Sequence, residues 1–296
     1  MKRYLVASFQ WSADMGGDVA NALGLTHVVL ESKQFLDGES YIRYPVDLTK
    51  YEGLILVQRA YPNQDSRLMQ LMLAVHAARD LGVNEIHIVL PYLPYSRQDR
   101  RFRDGEPISL LTVLTLLSSL GVSSIITVDV HKPEALRVSN VKCVNVEPFE
   151  LYADRLKSVN NAVLLSPDLG SLWRVKKVSE YLGGVPYSYF EKFRDRITGE
   201  VTMRPRELDV KGKEVFIIDD IIATGGTIIE ASKILKELGA ARIHVMATHC
   251  LLLNMADSKI LNAGVSSITC SNTILNNYTG ININKSIIKV LGELIT

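Results

Sequence analysis

The sequence predicts an α/β fold: two tandem domains, each a mainly parallel sheet flanked by helices. Three observations predict it. Short apolar runs alternate with helix-length stretches along the 296 residues, the pattern of parallel strands joined by helical crossovers. The chain also repeats itself. Leu81-Gly82 leads after three residues into Ile86-His87-Ile88-Val89, and roughly 150 residues later Leu238-Gly239 leads after three residues into Ile243-His244-Val245-Met246. Gly121-Val122-Ser123-Ser124-Ile125 returns as Gly264-Val265-Ser266-Ser267-Ile268, and Leu23-Gly24 as Leu182-Gly183. Such a period is far too long for a solenoid and fits two copies of one domain. Finally, the apolar run Val215–Ile218 stops at Asp219-Asp220 and is followed by a loop of small residues and a new helix, the layout of a strand whose carboxyl end carries a site.

Each expected element follows from these cues. Strands Arg3–Ala7 and His27–Leu30 flank the Leu23-Gly24 helix cap, since a glycine after the last helical leucine takes the left-handed C′ position. Strand Leu54–Gln58 precedes helix Ser66–Leu81, capped by Gly82. Strand Ile86–Leu90 precedes helix Ser109–Leu120, capped by Gly121, and strand Ile125–Asp129 closes the first copy. The second copy opens with helix Phe149–Leu156 and continues with strand Val163–Ser166, helix Leu172–Tyr181 and strand Tyr187–Phe190. Strand Val215–Ile218, helix Thr227–Leu238 and strands His244–Thr248 and Ser267–Cys270 complete it. The boundary falls near Val144–Pro148. The expected domains are 1–146 and 147–296, with the last helix packing back on the first.

Composition removes several functions. The formal net charge of +1 gives no basic excess, so nucleic acid is not an expected partner. No apolar run reaches the roughly 18–20 residues of a membrane span; the longest, Ile108 to Val122, is broken by Thr112, Thr115, Ser118 and Ser119. Lys2 and Arg3 precede too short an apolar patch for a signal peptide. Cys143, Cys250 and Cys270 lack metal spacing and read as reduced core thiols of a cytoplasmic protein.

The loop after Asp220 carries the chemistry. Ala223-Thr224-Gly225-Gly226-Thr227 offers backbone N–H groups at a helix N-terminus, a phosphate site. Two carboxylates beside a phosphate cradle suit a sugar phosphate, the acids accepting from ribose hydroxyls. Taken alone, an Asp-Asp pair after a strand reads more simply as a capped βα turn in solvent. A second loop, Pro91–Arg103, crowds Arg97, Arg100, Arg101 and Arg103 around Gln98. The guanidinium fork suits phosphate and Gln can pair with an adenine edge. The competing reading is a solvated charged loop, partly neutralised by Asp99, Asp104 and Glu106.

Val215–Thr227 resembles the phosphoribosyl diphosphate (PRPP) motif shared by phosphoribosyltransferases and ribose-phosphate pyrophosphokinases, and that loop alone does not choose between them. Four further stretches resemble the pyrophosphokinases. Pro91–Ser109 looks like their ATP loop. Phe35-Leu36-Asp37-Gly38-Glu39 is similar to their Phe-Ser-Asp-Gly-Glu segment, Val128-Asp129-Val130-His131 to their Val-Asp-Leu-His metal site, and Ser166-Pro167-Asp168 to their Ser-Pro-Asp. The resemblance runs from about residue 35 to residue 275.

The resemblance implies two domains of the phosphoribosyltransferase type I fold and a ribose-phosphate diphosphokinase. Such an enzyme transfers the β,γ-diphosphoryl group of ATP to the 1-hydroxyl of ribose 5-phosphate, giving PRPP and AMP for nucleotide biosynthesis. It implies ATP contacts from Arg97, Gln98 and Asp99, with Phe35, Asp37, Gly38 and Glu39 supplied from a second subunit, hence a homo-oligomer of at least two chains. It implies Mg²⁺ at His131 and Asp168, although Mg²⁺ prefers oxygen ligands and keeps several waters, so contact of His131 through water or nucleotide also fits. Without the resemblance, His131 reads as structural and Asp168 as the cap of the following helix. Lys192 and Arg194 become the catalytic pair, followed by a loop that closes over the site; unaided, that stretch reads as a surface hairpin. Ribose 5-phosphate falls to Arg194, Asp219, Asp220 and residues 223–227. The alternatives are a phosphoribosyltransferase that consumes PRPP and a non-catalytic regulatory relative.

The sequence also departs from the family pattern. Ala223 stands where many members carry Asp, which removes one side-chain acceptor but spares the backbone cradle. Lys132-Pro133-Glu134-Ala135 replaces a Gln-rich run, and the sequence stops at Thr296, short of the terminal Tyr-Leu-Phe tail of bacterial and animal enzymes. The shorter archaeal type fits best.

Overall fold

The computed structural model describes residues 3–194, 201–206 and 209–295, with backbone alone for 192–194 and 201–204. They form two units, Met1–Val146 with Asn284–Thr296, and Glu147–Ile283.

The first unit runs β1 (Tyr4–Ser8), α1 (Ala13–Leu23), β2 (Thr26–Val29), β3 (Glu31–Gln34), β4 (Ser40–Arg43), β5 (Gly53–Val57), α2 (Gln64–Asp80), β6 (Glu85–Val89), α3 (Ser109–Ser119), β7 (Ser124–Val128) and β8 (Lys142–Val146). Among the described residues its main sheet has six strands in the order β2-β1-β5-β6-β7-β8, all parallel. Strands β1, β5 and β7 are buried at every position, as expected where helices cover both faces of a parallel sheet. The hairpin β3–β4 stands apart as an antiparallel ribbon.

The second unit runs α4 (Phe149–Leu156), β9 (Ala162–Ser166), α5 (Leu172–Tyr181), β10 (Tyr187–Arg194), β11 (Val201–Pro205), β12 (Glu214–Ile222), α6 (Gly226–Glu237), β13 (Arg242–Cys250), α7 (Ala256–Asn262), β14 (Ser267–Ser271) and β15 (Thr279–Ile281). Its sheet order is β11-β10-β9-β12-β13-β14-β15, with only the β10–β11 pairing antiparallel. The last helix, α8 (Asn284–Ile295), groups with the first unit. There it packs on α1 and β8, buries Ile287 and Leu291 and is pinned by Asn284 Nδ2 donating to Asp18 Oδ2 at 2.6 Å.

Leaving out β11, the two sheets match strand for strand. The repeated phrases have a physical basis in this match. His87 and Ser124 are cross-strand neighbours on β6 and β7, as are His244 and Ser267 on β13 and β14. The Nδ1···Oγ distance is 2.8 Å in both pairs, and Ser123 and Ser266 donate their N–H groups to Ile86 and Ile243.

Two expectations need correction. Strand β12 does not stop before the acidic pair but runs on to Ile222, because the equally long β13 supplies ladder partners as far as Ile222↔Cys250. Cys250 and Cys270 are not reduced thiols: they form a disulfide with Cα atoms 5.9 Å apart. They lie on the adjacent strands β13 and β14, a proximity made by tertiary pairing and invisible in their spacing. Cys143 is a half-buried free thiol whose pKa burial raises. Among the described residues, no helix is long and apolar enough to cross a membrane.

Candidate active site

In the second unit the phosphate loop is built by two constraints on Gly225. Its φ of +74° is left-handed, and a Cβ there would lie 2.7 Å from Ile260 Cδ1 of α7. Only glycine meets both conditions. Gly226 has open space where a Cβ would stand, and α6 starts there with no side-chain cap. The first amides of a helix have no intrahelical acceptor, so the turn at 224–227 presents N–H donors and the positive end of the helix dipole. The chain after β13 supports the loop from below: Leu251 and Leu252 donate to Ile222 O, and Leu253 donates to Ala223 O at 2.9 Å.

The acidic pair is held tightly. Asp219 Oδ1 accepts the Ser171 hydroxyl and the Asp220 N–H, both at 3.0 Å. Its Oδ2 accepts from no group among the described residues. Asp220, 3% exposed, takes the guanidinium of Arg174 on Oδ2 at 3.3 Å and the Ile221 N–H on Oδ1. Burial, then the charge of Asp220 beside it, pushes Asp219 well above the usual carboxylate range; Arg174 and the Ser171 hydroxyl pull the other way.

Asp168 lies at the exposed start of the turn before α5. Its Oδ1 accepts Ser171 N–H at 3.0 Å, its carbonyl accepts Ser166 Oγ, and Oδ2 has no partner among the described residues. Asp168 is therefore not the N-cap of α5, a place taken by Ser171; one of its oxygens orders the turn before the helix. Among the described residues no three His, Cys, Asp or Glu side chains converge. A single open carboxylate fits Mg²⁺, which commonly takes one or two protein carboxylates and fills its octahedron with water and phosphate.

In the first unit the loop after β6 is ordered by its own contacts. Ser109 Oγ bonds to Gln98 Oε1, and Gln98 N–H donates to Tyr95 O at 2.9 Å, leaving the Gln98 amide NH₂ as a free donor among the described residues. Arg97 is exposed. The Asp99 carboxylate is buried with Lys132 Nζ 4.0 Å away, which brings the loop to the segment that follows His131. Asp129, two residues before His131, is fully buried with φ +41°, a strained backbone of the kind found beside functional sites. A cleft of about 550 Å³ lined in part by Asn63, Asp65, Tyr92 and Tyr95 opens at the base of this loop.

At the tip of the β3–β4 hairpin, Asp37 Oδ1 accepts the Glu39 N–H, and Gly38 takes φ +94°. Phe35 packs edge-on to Tyr41 with Lys33 5.0 Å above its ring. Phe35, Asp37 and Glu39 are all exposed. No hydrogen bond or ion pair among the described residues joins this tip to Arg97, Gln98 or Asp99. Lys192 and Arg194 sit on β10, paired with Met203 and Val201 of β11; their side chains lie outside the described residues.

An open carboxylate beside a helix-terminal anion cradle, carried by one copy of a duplicated α/β scaffold, defines a phosphoribosyltransferase-type protein. The comparisons narrow the class. Residues 4–121 match the N-terminal domain of ribose phosphate pyrophosphokinase, and residues 149–280 match the phosphoribosyl transferase domain. The ribose-phosphate pyrophosphokinase of Saccharolobus solfataricus is 42% identical over 258 residues, covering 86% of this chain and 88% of its own. That of Pyrococcus furiosus is 39% identical over 279 residues, covering 93% and 96%. The crystal structure of phosphoribosylpyrophosphate synthetase from Mycobacterium smegmatis superposes with a TM-score of 0.86 at 25% identity, covering 99% of each chain. The chain belongs to the ribose-phosphate pyrophosphokinase family, and these two curated relatives are archaeal.

Proposed function

We propose that this chain is a ribose-phosphate diphosphokinase, transferring the β,γ-diphosphoryl group of ATP to the 1-hydroxyl of ribose 5-phosphate. The observation that carries the reading is the second unit's site: an anion cradle at the start of α6 with the open oxygen of Asp219 on the preceding strand. Residues 223–227 hold the 5-phosphate, and Asp219 with Asp220 receives the ribose hydroxyls. The hydroxyl attacks the β-phosphorus in line with the departing AMP oxygen. Catalysis is then mostly positioning and charge stabilisation, for which Lys192 and Arg194 are the candidates. Arg97, Gln98 and Asp99 hold ATP, with Phe35, Asp37, Gly38 and Glu39 from a second copy, so the working form is a homo-oligomer. His131, directly or through water, would hold one Mg²⁺, which when bound neutralises phosphate charge, and Asp168 would hold a second, which when bound lowers the pKa of the attacking hydroxyl. Cytoplasmic nucleotide biosynthesis is the setting these substrates imply.

Phosphorus NMR of the protein with ATP, ribose 5-phosphate and Mg²⁺, beside a Lys192→Ala control, tests this. PRPP and AMP rising together only with the intact protein is the expected result. Consumption of added PRPP with a nucleobase, and no AMP, would replace the reading with a phosphoribosyltransferase. Nucleotide binding without turnover in either assay would point to the regulatory relative.

A further inference from the structure

Ser171 is the first residue of its helix turn, at the N-cap of α5, and its hydroxyl does not cap the helix. A serine there normally accepts from an amide of the first turn. Here the hydroxyl is committed elsewhere. Arg174 Nη1 donates to Ser171 Oγ at 3.3 Å. Guanidinium has no acceptor, so the serine oxygen must accept from it, and its one proton points to Asp219 Oδ1 at 3.0 Å. The same Arg174 holds Asp220 through Nη2. Arg174 is 1% exposed, with its guanidinium 4.6 Å over the Trp173 ring, and Trp173 packs edge-on against Phe149. Ser171 also gives its N–H to Asp168. One serine therefore binds the carboxylate expected to face metal and the one expected to face the sugar.

We propose that Ser171 is a positioning residue for ribose 5-phosphate, fixing Asp219 so that its Oδ2 alone faces the ligand, with Arg174 as the brace behind it. The proposal rests on the reading of Asp219 as the ribose acceptor. With Oδ1 saturated by the Ser171 hydroxyl and the Asp220 N–H, the carboxylate cannot rotate without losing two hydrogen bonds. Without the hydroxyl, the carboxylate keeps one tether and samples rotations that misdirect Oδ2.

The test is steady-state kinetics of the full chain with each substrate varied, together with calorimetric binding of ribose 5-phosphate. Ser171→Ala is expected to raise the ribose 5-phosphate KM about tenfold, the equivalent of one charged hydrogen bond of about 1.4 kcal/mol, leaving the KM for ATP within twofold. Ser171→Thr, which keeps the hydroxyl, is expected to recover most of the loss. In an Asp219→Asn background the serine substitution should add almost nothing to the measured Kd, because it acts through that carboxylate. Equal rises in both KM values, an unchanged ribose 5-phosphate KM, or full additivity with Asp219→Asn would each overturn the proposal. Should Ser171→Ala fail to fold, Arg174→Lys keeps the charge but loses the two-pronged brace, and must show the same selective rise. A wild-type protein that binds ribose 5-phosphate but makes no AMP would remove the proposed activity while leaving the calorimetric test of Ser171 intact.

Discussion

At the scale of single residues, the two glycines of the phosphate loop make unlike predictions. Gly225→Ala meets a left-handed backbone and Ile260, so it should lower the urea midpoint by the equivalent of at least about 1–2 kcal/mol, the backbone cost alone. Gly226→Ala enters open space at the first helical position and should leave the midpoint unchanged or raise it, since alanine is the better helix former by up to about 1 kcal/mol. Equal losses at both sites would refute this account of the loop. Asp219 yields a pH prediction. Its folded pKa lies above the unfolded value near 3.8, so it costs nothing below that value. It destabilises progressively as pH rises toward the folded value and stays costly above it. Asp219→Asn should therefore raise Tm at neutral pH while weakening ribose 5-phosphate binding, and the Tm gain should vanish below about pH 4. A gain that persists at pH 3 would show that ionisation is not its cause. Lys192→Ala should cut turnover by orders of magnitude with ribose 5-phosphate still bound, because contacts made only in the transition state are lost from turnover. Single-turnover quench with a binding control checks it.

At the scale of elements, the strands were legible where burial is complete. Runs such as Leu54–Val57 and Val163–Leu165 face protein on both sides, and no other role suits so apolar a segment. The β3–β4 hairpin and β15 are partly exposed and carry mixed residues, so periodicity offered nothing to read. Phosphate-loop residues were legible because glycine and small residues are demanded by backbone geometry. Ser171 and Arg174 were not, because a serine at a turn and an arginine on an amphipathic helix are ordinary until β12 is laid beside them. The disulfide belongs to the same class, since strand adjacency created it. It closes a loop 20 residues long, for which chain entropy gives about 3 kcal/mol. A Cys250→Ser/Cys270→Ser double variant should accordingly lose about 2–4 kcal/mol in guanidinium unfolding. An unchanged midpoint would mean that the crosslink does not form in solution.

At the scale of the whole molecule, the matching strand orders and the paired His–Ser contacts make the chain a duplication whose copies have diverged at their ligand ends. One copy kept the glycine-built anion cradle after its third sheet strand; at the equivalent point of the other, β5 leads into α2 through Asn63, Gln64 and Asp65, with no such loop. If ATP is read by residues from two copies of the chain, mixing Asp37→Ala protein with Lys192→Ala protein should restore part of the activity that each lacks. Absence of recovery after confirmed subunit exchange would place Asp37 in its own chain's site. The grouping of α8 with the first unit has a consequence for how the protein is made. Residues 1–146 leave the ribosome well before the helix that buries Ile287 and Leu291 in the same unit. At translation rates of about 5–20 residues per second, the opening unit waits on the order of ten seconds with one wall missing, while the whole of the second unit is synthesised. Of these two units, the one begun earlier is thus the later to complete its fold.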